Sequence, residues 1–257
     1  MRCDWKECTI NDVCSRIYSG GTPNKRQSEY YSGGKIPWLN TAEIKFNRIH
    51  ATENYITEAG LKSSSARWVP ANAVIVAMYG ATAGRVAISK IPLTTNQACC
   101  NLVIDENKAD YNYVYYWLCL MYEQLASRAI GSTQQNLNAG QIKEFPIIIP
   151  PLETQKKISA ILSPLDDKIE LNKRINANLE QQARAIFKHW FIDSDYRLGT
   201  ASEIIEYHDS KRIPISSRER SKLAKIYPYY GAASVMDYVD RYIFDGVYLL
   251  LGEGCSV

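Results

Sequence analysis

The spacing of apolar residues changes character once along the chain. Up to residue 150 they come in short runs broken by turn formers. Ile36-Pro37-Trp38-Leu39 and Ala73-Val74-Ile75-Val76-Ala77-Met78 predict strands, the second a nearly continuous apolar run ended by Gly80, as in a buried strand. Tyr113 to Ala129 predicts a helix stopped by Gly131, and Ile147-Ile148-Ile149 a short strand closed by Pro150-Pro151. Residues 1–150 therefore read as one globular mixed-sheet domain of the α/β (α+β) class.

After the proline pair the period lengthens. Ile158, Leu162, Leu165, Ile169, Asn172, Asn176, Leu179, Ala183, Ile186 and Trp190 follow a 4-3 spacing, the seam of a helix that packs along another helix. Residues 151–193 thus predict a coiled-coil spacer helix, a rod of roughly 60 Å at about 1.5 Å per residue. Pro164 lacks an amide hydrogen and clashes with the preceding turn, which predicts a kink or a break. Two adjacent seam positions, Asn172 and Asn176, are polar. Buried, they would weaken the seam and fix its register; exposed, they would mark where it splays.

Beyond Asp193 a second mixed segment, residues 194–257, echoes the first. Tyr227-Pro228-Tyr229-Tyr230-Gly231 parallels Ile36-Pro37-Trp38-Leu39-Asn40, and Val247-Tyr248-Leu249-Leu250-Leu251-Gly252 parallels Ile75-Val76-Ala77-Met78-Tyr79-Gly80. The sequence stops soon after this second buried-strand pattern, so the segment reads as an incomplete domain, from a fragment or a truncated gene product.

Composition narrows the class. The chain has 257 residues, 46% hydrophobic and 22% charged, as ordinary globular proteins do. No apolar run approaches the roughly 18 residues of a membrane span, and Met1-Arg2-Cys3-Asp4-Trp5-Lys6-Glu7 is not a secretory signal. Seven cysteines, an odd number without a C-x-x-C pair, imply reduced thiols in a cytoplasmic protein. The net charge is only +3, but its distribution is uneven. Between Glu58 and Asp105 there is no acid, while Lys62, Arg67, Arg85 and Lys90 are present. Between Glu123 and Glu144 the only charges are Arg128 and Lys143, and from Lys211 to Lys225 the one acid is Glu219. Such segments suit a polyanion on one face, or are chance clusters on a solvated surface.

Four groups of residues, in order, carry a resemblance. Ser19-Gly20-Gly21-Thr22-Pro23 precedes Ile36-Pro37-Trp38-Leu39. Met78-Tyr79-Gly80-Ala81-Thr82-Ala83-Gly84-Arg85-Val86 precedes Thr95-Asn96-Gln97-Ala98. Gly131-Ser132-Thr133-Gln134-Gln135-Asn136-Leu137 leads to Pro146-Ile147 and Pro150-Pro151-Leu152-Glu153-Thr154-Gln155. Leu165-Asp166-Asp167-Lys168-Ile169-Glu170-Leu171-Asn172 ends in Ile186-Phe187-Lys188-His189-Trp190-Phe191. Their order and spacing over residues 1–192 resemble the DNA-specificity (S) subunits of type I restriction-modification systems. The resemblance implies a first target-recognition domain, its spacer helix and the start of a second recognition domain. It implies that each domain reads half of a split double-stranded DNA site. It also implies that the spacer docks two methyltransferase (M) subunits, and that restriction and motor (R) subunits join the complex. S-adenosylmethionine, ATP and Mg²⁺ would belong to those partners, with no cofactor in this chain. The resemblance further implies a second, antiparallel spacer helix, which this sequence lacks; self-association through the one it has is the alternative.

Catalytic parts are not visible. The only Pro-Pro, flanked by Ile149 and Leu152, is not the motif by which adenine methyltransferases hold a flipped base. Gly80-Ala81-Thr82-Ala83-Gly84 has the wrong spacing for a dinucleotide-binding turn, and no Walker lysine follows. His50, His189 and His208 do not cluster with cysteine or aspartate in sequence, so no metal site is assigned. Pro164-Leu165-Asp166-Asp167-Lys168 resembles the acid-x-Lys end of a nuclease motif, but its charges fall outside the seam and read as a solvated helix face. A stand-alone nuclease or methyltransferase, and a coiled-coil adaptor that binds protein, are the readings from other classes.

DNA reading needs donors and acceptors for base edges, and basic residues for phosphates. The loops supply Thr22, Asn24, Lys25, Arg26, Asn40, Thr41, Ser63, Ser64, Ser65, Arg67, Thr82, Arg85, Asn96, Gln97, Ser132, Thr133, Gln134, Gln135 and Asn136. Singly, each is equally turn or cap chemistry. As a set they read as a DNA surface, chiefly through the resemblance. Tyr111, Tyr113, Tyr115, Tyr116, Trp117 and Tyr122 read as the core-facing side of a helix.

Overall fold

A computed structural model describes residues 4–129, 136–193, 199–232 and 234–250. Compact packing divides the chain into two units, residues 1–180 and 181–257, so the boundary falls inside the long helix. In the first unit the strands are β1 (Lys6–Thr9), β2 (Cys14–Ser19), β3 (Ile36–Leu39), β4 (Asn47–Ile49), β5 (Asn54–Ile56), β6 (Trp68–Val69), β7 (Val74–Ala77), β8 (Val86–Ser89), β9 (Leu93–Thr95), β10 (Cys99–Ile104) and β11 (Pro146–Ile149). The α-helices are α1 (Ile10–Val13), α2 (Glu58–Lys62), α3 (Tyr111–Leu120), α4 (Tyr122–Ser127), α5 (Ala139–Lys143) and α6 (Leu152–Phe187).

Three sheets form. One has five strands in the order β2-β10-β7-β8-β4, one has four in the order β5-β3-β9-β6, and β1 pairs with β11. Side chains alternate across a strand, which explains the unbroken apolar run of β7. Val74 and Val76 join a core with Val86, Ile88, Cys100, Leu102 and the α3 residues Tyr113, Val114 and Leu118. Ile75 and Ala77 face the opposite way, into a second core with Leu39, Val69, Leu93, Ala87 and Cys99. The five-stranded sheet is thus the middle of three layers, between helices and the four-stranded sheet. A strand covered on both faces has no polar side to show.

The expected helix over residues 113–129 is two helices, α3 and α4, that meet at Met121. Asp110 caps α3 by accepting from the Tyr113 amide at 2.9 Å. Of the aromatic run, Tyr113 and Tyr115 are buried, while Tyr111, Tyr116, Trp117 and Tyr122 are half-buried.

Helix α6 runs without interruption through Pro164, so of the kink or break expected there the break does not occur. A mid-helix proline costs about 3 kcal/mol in an isolated helix. Here tertiary contacts flank it: the Ser163 carbonyl accepts from Arg48 at 3.1 Å and Asp166 accepts from the Tyr116 hydroxyl at 2.7 Å. The early seam residues Ile158 and Leu162 are half-buried, with Ile158 packed on the first core. From Leu165 on the seam is exposed, through Ile169, Asn172, Asn176, Leu179, Ala183, Ile186 and Trp190. Both asparagines face solvent. Residues Lys188–Ile192 continue as a π turn.

In the second unit a hairpin of β12 (Tyr227–Tyr230) and β13 (Val235–Val239) is held to α7 (Ser217–Arg220) by Asp237. Its carboxylate meets Arg220 at 3.3 Å and Lys225 at 2.8 Å. Two cations of the basic run from Lys211 to Lys225 therefore serve structure. The expected strand at residues 247–251 does not form over its described part: Val247 to Leu250 are exposed and without regular structure. Its counterpart β7 is held between β8 and β10, which follow it in sequence. No described residue of the second unit takes those two places, and an apolar segment without ladder partners has nothing to pair with.

Candidate nucleic-acid interface

Strand directions place the candidate loops together. β3 and β9 are parallel, so Asn40 and Asn96 both leave the same end of the four-stranded sheet. β6 runs against β9, which brings its preceding segment, residues 63–67, to that end. β2 and β7 both run antiparallel to β10, with Ser19 opposite Cys100 and Ala77 opposite Cys99. The turns after Ser19 and Ala77 therefore meet the residues just before β10. Val86 opposes Val76, which adds Arg85.

Close backbone approach locks these loops. The Gly21 amide donates to the Thr95 carbonyl at 2.9 Å, and the Trp38 indole donates to the Gly21 carbonyl at 2.9 Å. A Cβ on Gly20 would collide with the Thr95 backbone, and one on Gly21 with the backbone of Ser65 and Ala66. Only glycine fits at this crossing. It joins Thr22 to Gln97 through a side-chain hydrogen bond, and Asn96 donates to Asn40 at 3.4 Å. A neighbouring group forms around the turn after β7. The Asn136 side chain accepts from the Gly80 amide at 3.3 Å, and Thr82 donates to the Tyr79 carbonyl at 3.0 Å. The Met78 amide, donating to the Ala98 carbonyl at 2.8 Å, joins the two groups.

Of the sequence-derived candidates, Thr22, Asn40, Asn96 and Gln97 meet in the first group, and Thr82, Arg85 and Asn136 in the second. Thr41 opens the 3₁₀ turn that Asn40 caps. Asn24, Lys25 and Arg26 are exposed on the loop after Gly21, with Asn24 accepting from the Arg26 amide at 3.1 Å. Ser63 and Ser64 donate back to carbonyls of α2, at 3.2 and 3.5 Å, so their hydroxyls do helix-end chemistry. Arg67 is exposed beside them. Ser132, Thr133, Gln134 and Gln135 lie outside the described residues.

The aromatic residues of this end carry no functional mark in the sequence. Trp68, Tyr79 and Phe46 are 48%, 44% and 39% exposed. Phe46 has φ of 55°, a left-handed conformation that a bulky residue rarely adopts, and its ring meets Tyr122 edge-on at 5.0 Å. Lys45 beside it is exposed. Exposed aromatic surface among amides and cations suits contact with bases or sugars. The available signal was weak: an aromatic at a strand end looks the same in sequence whether it turns in or out.

Acid–base or metal chemistry has little to build on. Among the described residues no three His, Cys, Asp or Glu side chains converge as metal ligands. Burial pushes the Cys14, Cys100 and Cys119 thiols up to about 12, and Cys99 upward as well, so they are poor nucleophiles. All described cysteines are free thiols. No described helix is long and apolar enough to cross a membrane.

The mixed α/β fold, with sheets and a long helix, is shared with solved specificity subunits. A solved S subunit of a type I restriction-modification system from M. genitalium aligns with TM-score 0.54 at 22% identity, over 92% of this chain and 62% of that one. A structure from work on complex assembly and conformational transition of a type I system aligns with TM-score 0.53 at 18% identity, over 72% and 44%. Sequence comparison gives the family. The profile described as Type I restriction modification DNA specificity domain matches residues 3–181, and the chain belongs to that family. It is 37% identical over 194 residues to the type I restriction enzyme MjaIX specificity subunit of Methanocaldococcus jannaschii, covering 74% of this chain and 44% of that protein. It is 27% identical over 168 residues to the EcoR124I/EcoR124II specificity subunit of Escherichia coli, covering 63% and 41%. The chain thus spans less than half the length of these two relatives. The family is that of the DNA-recognition component of type I systems, which is non-catalytic.

Proposed function

We propose that this chain reads one half of a bipartite double-stranded DNA target and docks methyltransferase subunits through α6. In this reading it works in the cytoplasm, within a complex whose M and R subunits hold S-adenosylmethionine, ATP and Mg²⁺. The observation that carries the reading is the gathering of Thr22, Asn40, Arg67, Arg85, Asn96, Gln97 and Asn136 at one end of two sheets, beside exposed Trp68 and Tyr79. Amide and hydroxyl side chains can match base edges in the major groove, and the arginines can contact guanine or phosphate.

A second reading has its own support. From Leu165 on, the apolar seam of α6 is exposed, and a heptad seam buries its apolar side chains against another helix. Two copies paired along α6 would supply two recognition domains. The test is selection of duplexes from a random DNA pool by the chain reconstituted with its methyltransferase subunits. Retained DNA sharing short fixed blocks supports sequence reading; retention without any shared bases defeats it.

A further inference from the structure

Strand β4 carries a charged residue that the recognition end does not use. The Arg48 side chain is 6% exposed, and among the described residues every charged group that it meets comes from α6. Its guanidinium hydrogen-bonds Asp167 and donates to the Ser163 carbonyl at 3.1 Å. Asp166 lies 3.8 Å away and Glu170 4.0 Å away. Tyr116 from α3 donates to Asp166 at 2.7 Å, and His50, just past β4, sits 3.2 Å from Glu170. The acids at 166 and 167, read from sequence as a solvated face, are thus partners of a buried arginine 118 or more positions earlier. A planar guanidinium with several donors fixes direction as well as distance.

Helix α6 has a separate anchor one to two turns earlier. Gln155, 1% exposed, accepts from the Asp110 amide at 3.0 Å and donates to the Pro150 carbonyl at 2.9 Å. Ser159 donates to Asp110 at 2.5 Å. One anchor fixes where a rod starts; a second further along fixes where it points. Arg48 supplies the second, on both sides of Pro164, where the helix lacks a backbone hydrogen bond and is easiest to bend. It also sits two residues after Phe46, in a strand that comes directly from the recognition end.

We propose that Arg48 is a positioning residue that sets the direction of the spacer helix relative to the recognition loops, and with it the number of base pairs between the two blocks of the target. The inference rests on the bipartite reading above. From Glu170 to the end of α6 the helix runs about 25 Å at about 1.5 Å per residue. A tilt of about 8° over that length moves its end by roughly 3.4 Å, one base-pair step of a helix that repeats every 10 base pairs in about 34 Å.

The test is methylome sequencing of cells whose complete system carries Arg48→Met, Arg48→Lys or the double change Asp167→Asn with Glu170→Gln. The same two blocks are expected, with methylation spread from one spacing to spacings one or more base pairs longer and shorter. Arg48→Lys, which keeps the charge but not the fork, should spread them less. A single unchanged spacing in all three variants overturns the clamp while leaving the bipartite reading intact. A continuous target in the unmodified system overturns both. Where a variant fails to assemble, spin labels at Ser32→Cys and Arg174→Cys on the purified chain report the same geometry. They are placed in a background with Cys3, Cys8 and Cys255 changed to serine. The distance distribution should widen about twofold in Arg48→Met, and an unchanged distribution overturns the proposal.

Discussion

Gly21→Ala is the smallest change that should separate the recognition loops. The added Cβ would lie well inside 3.0 Å of the Ser65 and Ala66 backbone, closer than real Cβ atoms come. Backbone cannot rotate away as a flexible side chain can, so the loop carrying Thr22 must move. Overpacking of this kind costs about 1–3 kcal/mol. The movement also strains two hydrogen bonds, Gly21 amide to Thr95 carbonyl and Trp38 indole to Gly21 carbonyl, both at 2.9 Å. Trp38 is buried, and an unpaired buried donor costs a further ~1–3 kcal/mol. The sum, about 2–6 kcal/mol, should lower the melting temperature by roughly 4–24 °C at about 2–4 °C per kcal/mol for a domain of this size. Displacing Thr22 from Gln97 should also weaken specific DNA binding by the assembled complex by about tenfold, since one base contact is worth ~1–3 kcal/mol. Calorimetry and fluorescence anisotropy measure the two effects. Unchanged melting together with unchanged affinity would refute the claim that this crossing holds the loops in place.

Arg67→Ala and Arg85→Ala should each weaken DNA binding: a phosphate contact lowers the salt slope by about one, and a base contact costs about 1–3 kcal/mol and relaxes one position. Salt titrations on matched and mismatched duplexes distinguish these outcomes. Leu179→Asp should leave the melting temperature of the first unit within about 1–2 °C, because the residue is exposed, while abolishing self-association in light scattering through burial of an unpaired charge. In native protein, thiol reagent at pH 8 should leave Cys14, Cys99, Cys100 and Cys119 unmodified, since burial raises each of these thiols and disfavours the thiolate. Rapid modification without denaturant would contradict the packing around β10. Inserting seven residues between Asn178 and Leu179 preserves the heptad and should lengthen the gap between blocks by about 3 base pairs, from about 1.5 Å per residue; methylome sequencing would show any change in the bases read instead.

The parts of the fold visible in sequence were those with local periodicity. β7 and α6 announce themselves because burial on two faces and a repeating seam each write a pattern on consecutive residues. β10 was passed over, because the buried Asn101 interrupts its apolar character; its side chain donates to Thr95 at 2.9 Å. The glycine pair and the asparagines were legible as loop chemistry, but that Gly21 passes between Thr95 and Ala66 follows only from strand order. Arg48 was invisible for the same reason. Its partners lie 115 to 122 positions away, and an isolated arginine in a strand carries no mark of what it faces. Residues 247–250 failed in the opposite sense, since their pattern is that of a strand but a strand needs neighbours.

Methylome sequencing of cells carrying the complete system, with and without this chain, tests sequence reading most directly. The account predicts that modified adenines or cytosines appear only with the chain present, at a target of two short blocks separated by unread base pairs. It further predicts that substitutions at Asn96, Gln97 or Arg85 change or relax one block alone. Modification that persists without the chain, or a target unaltered by every substitution among these loops, would contradict it.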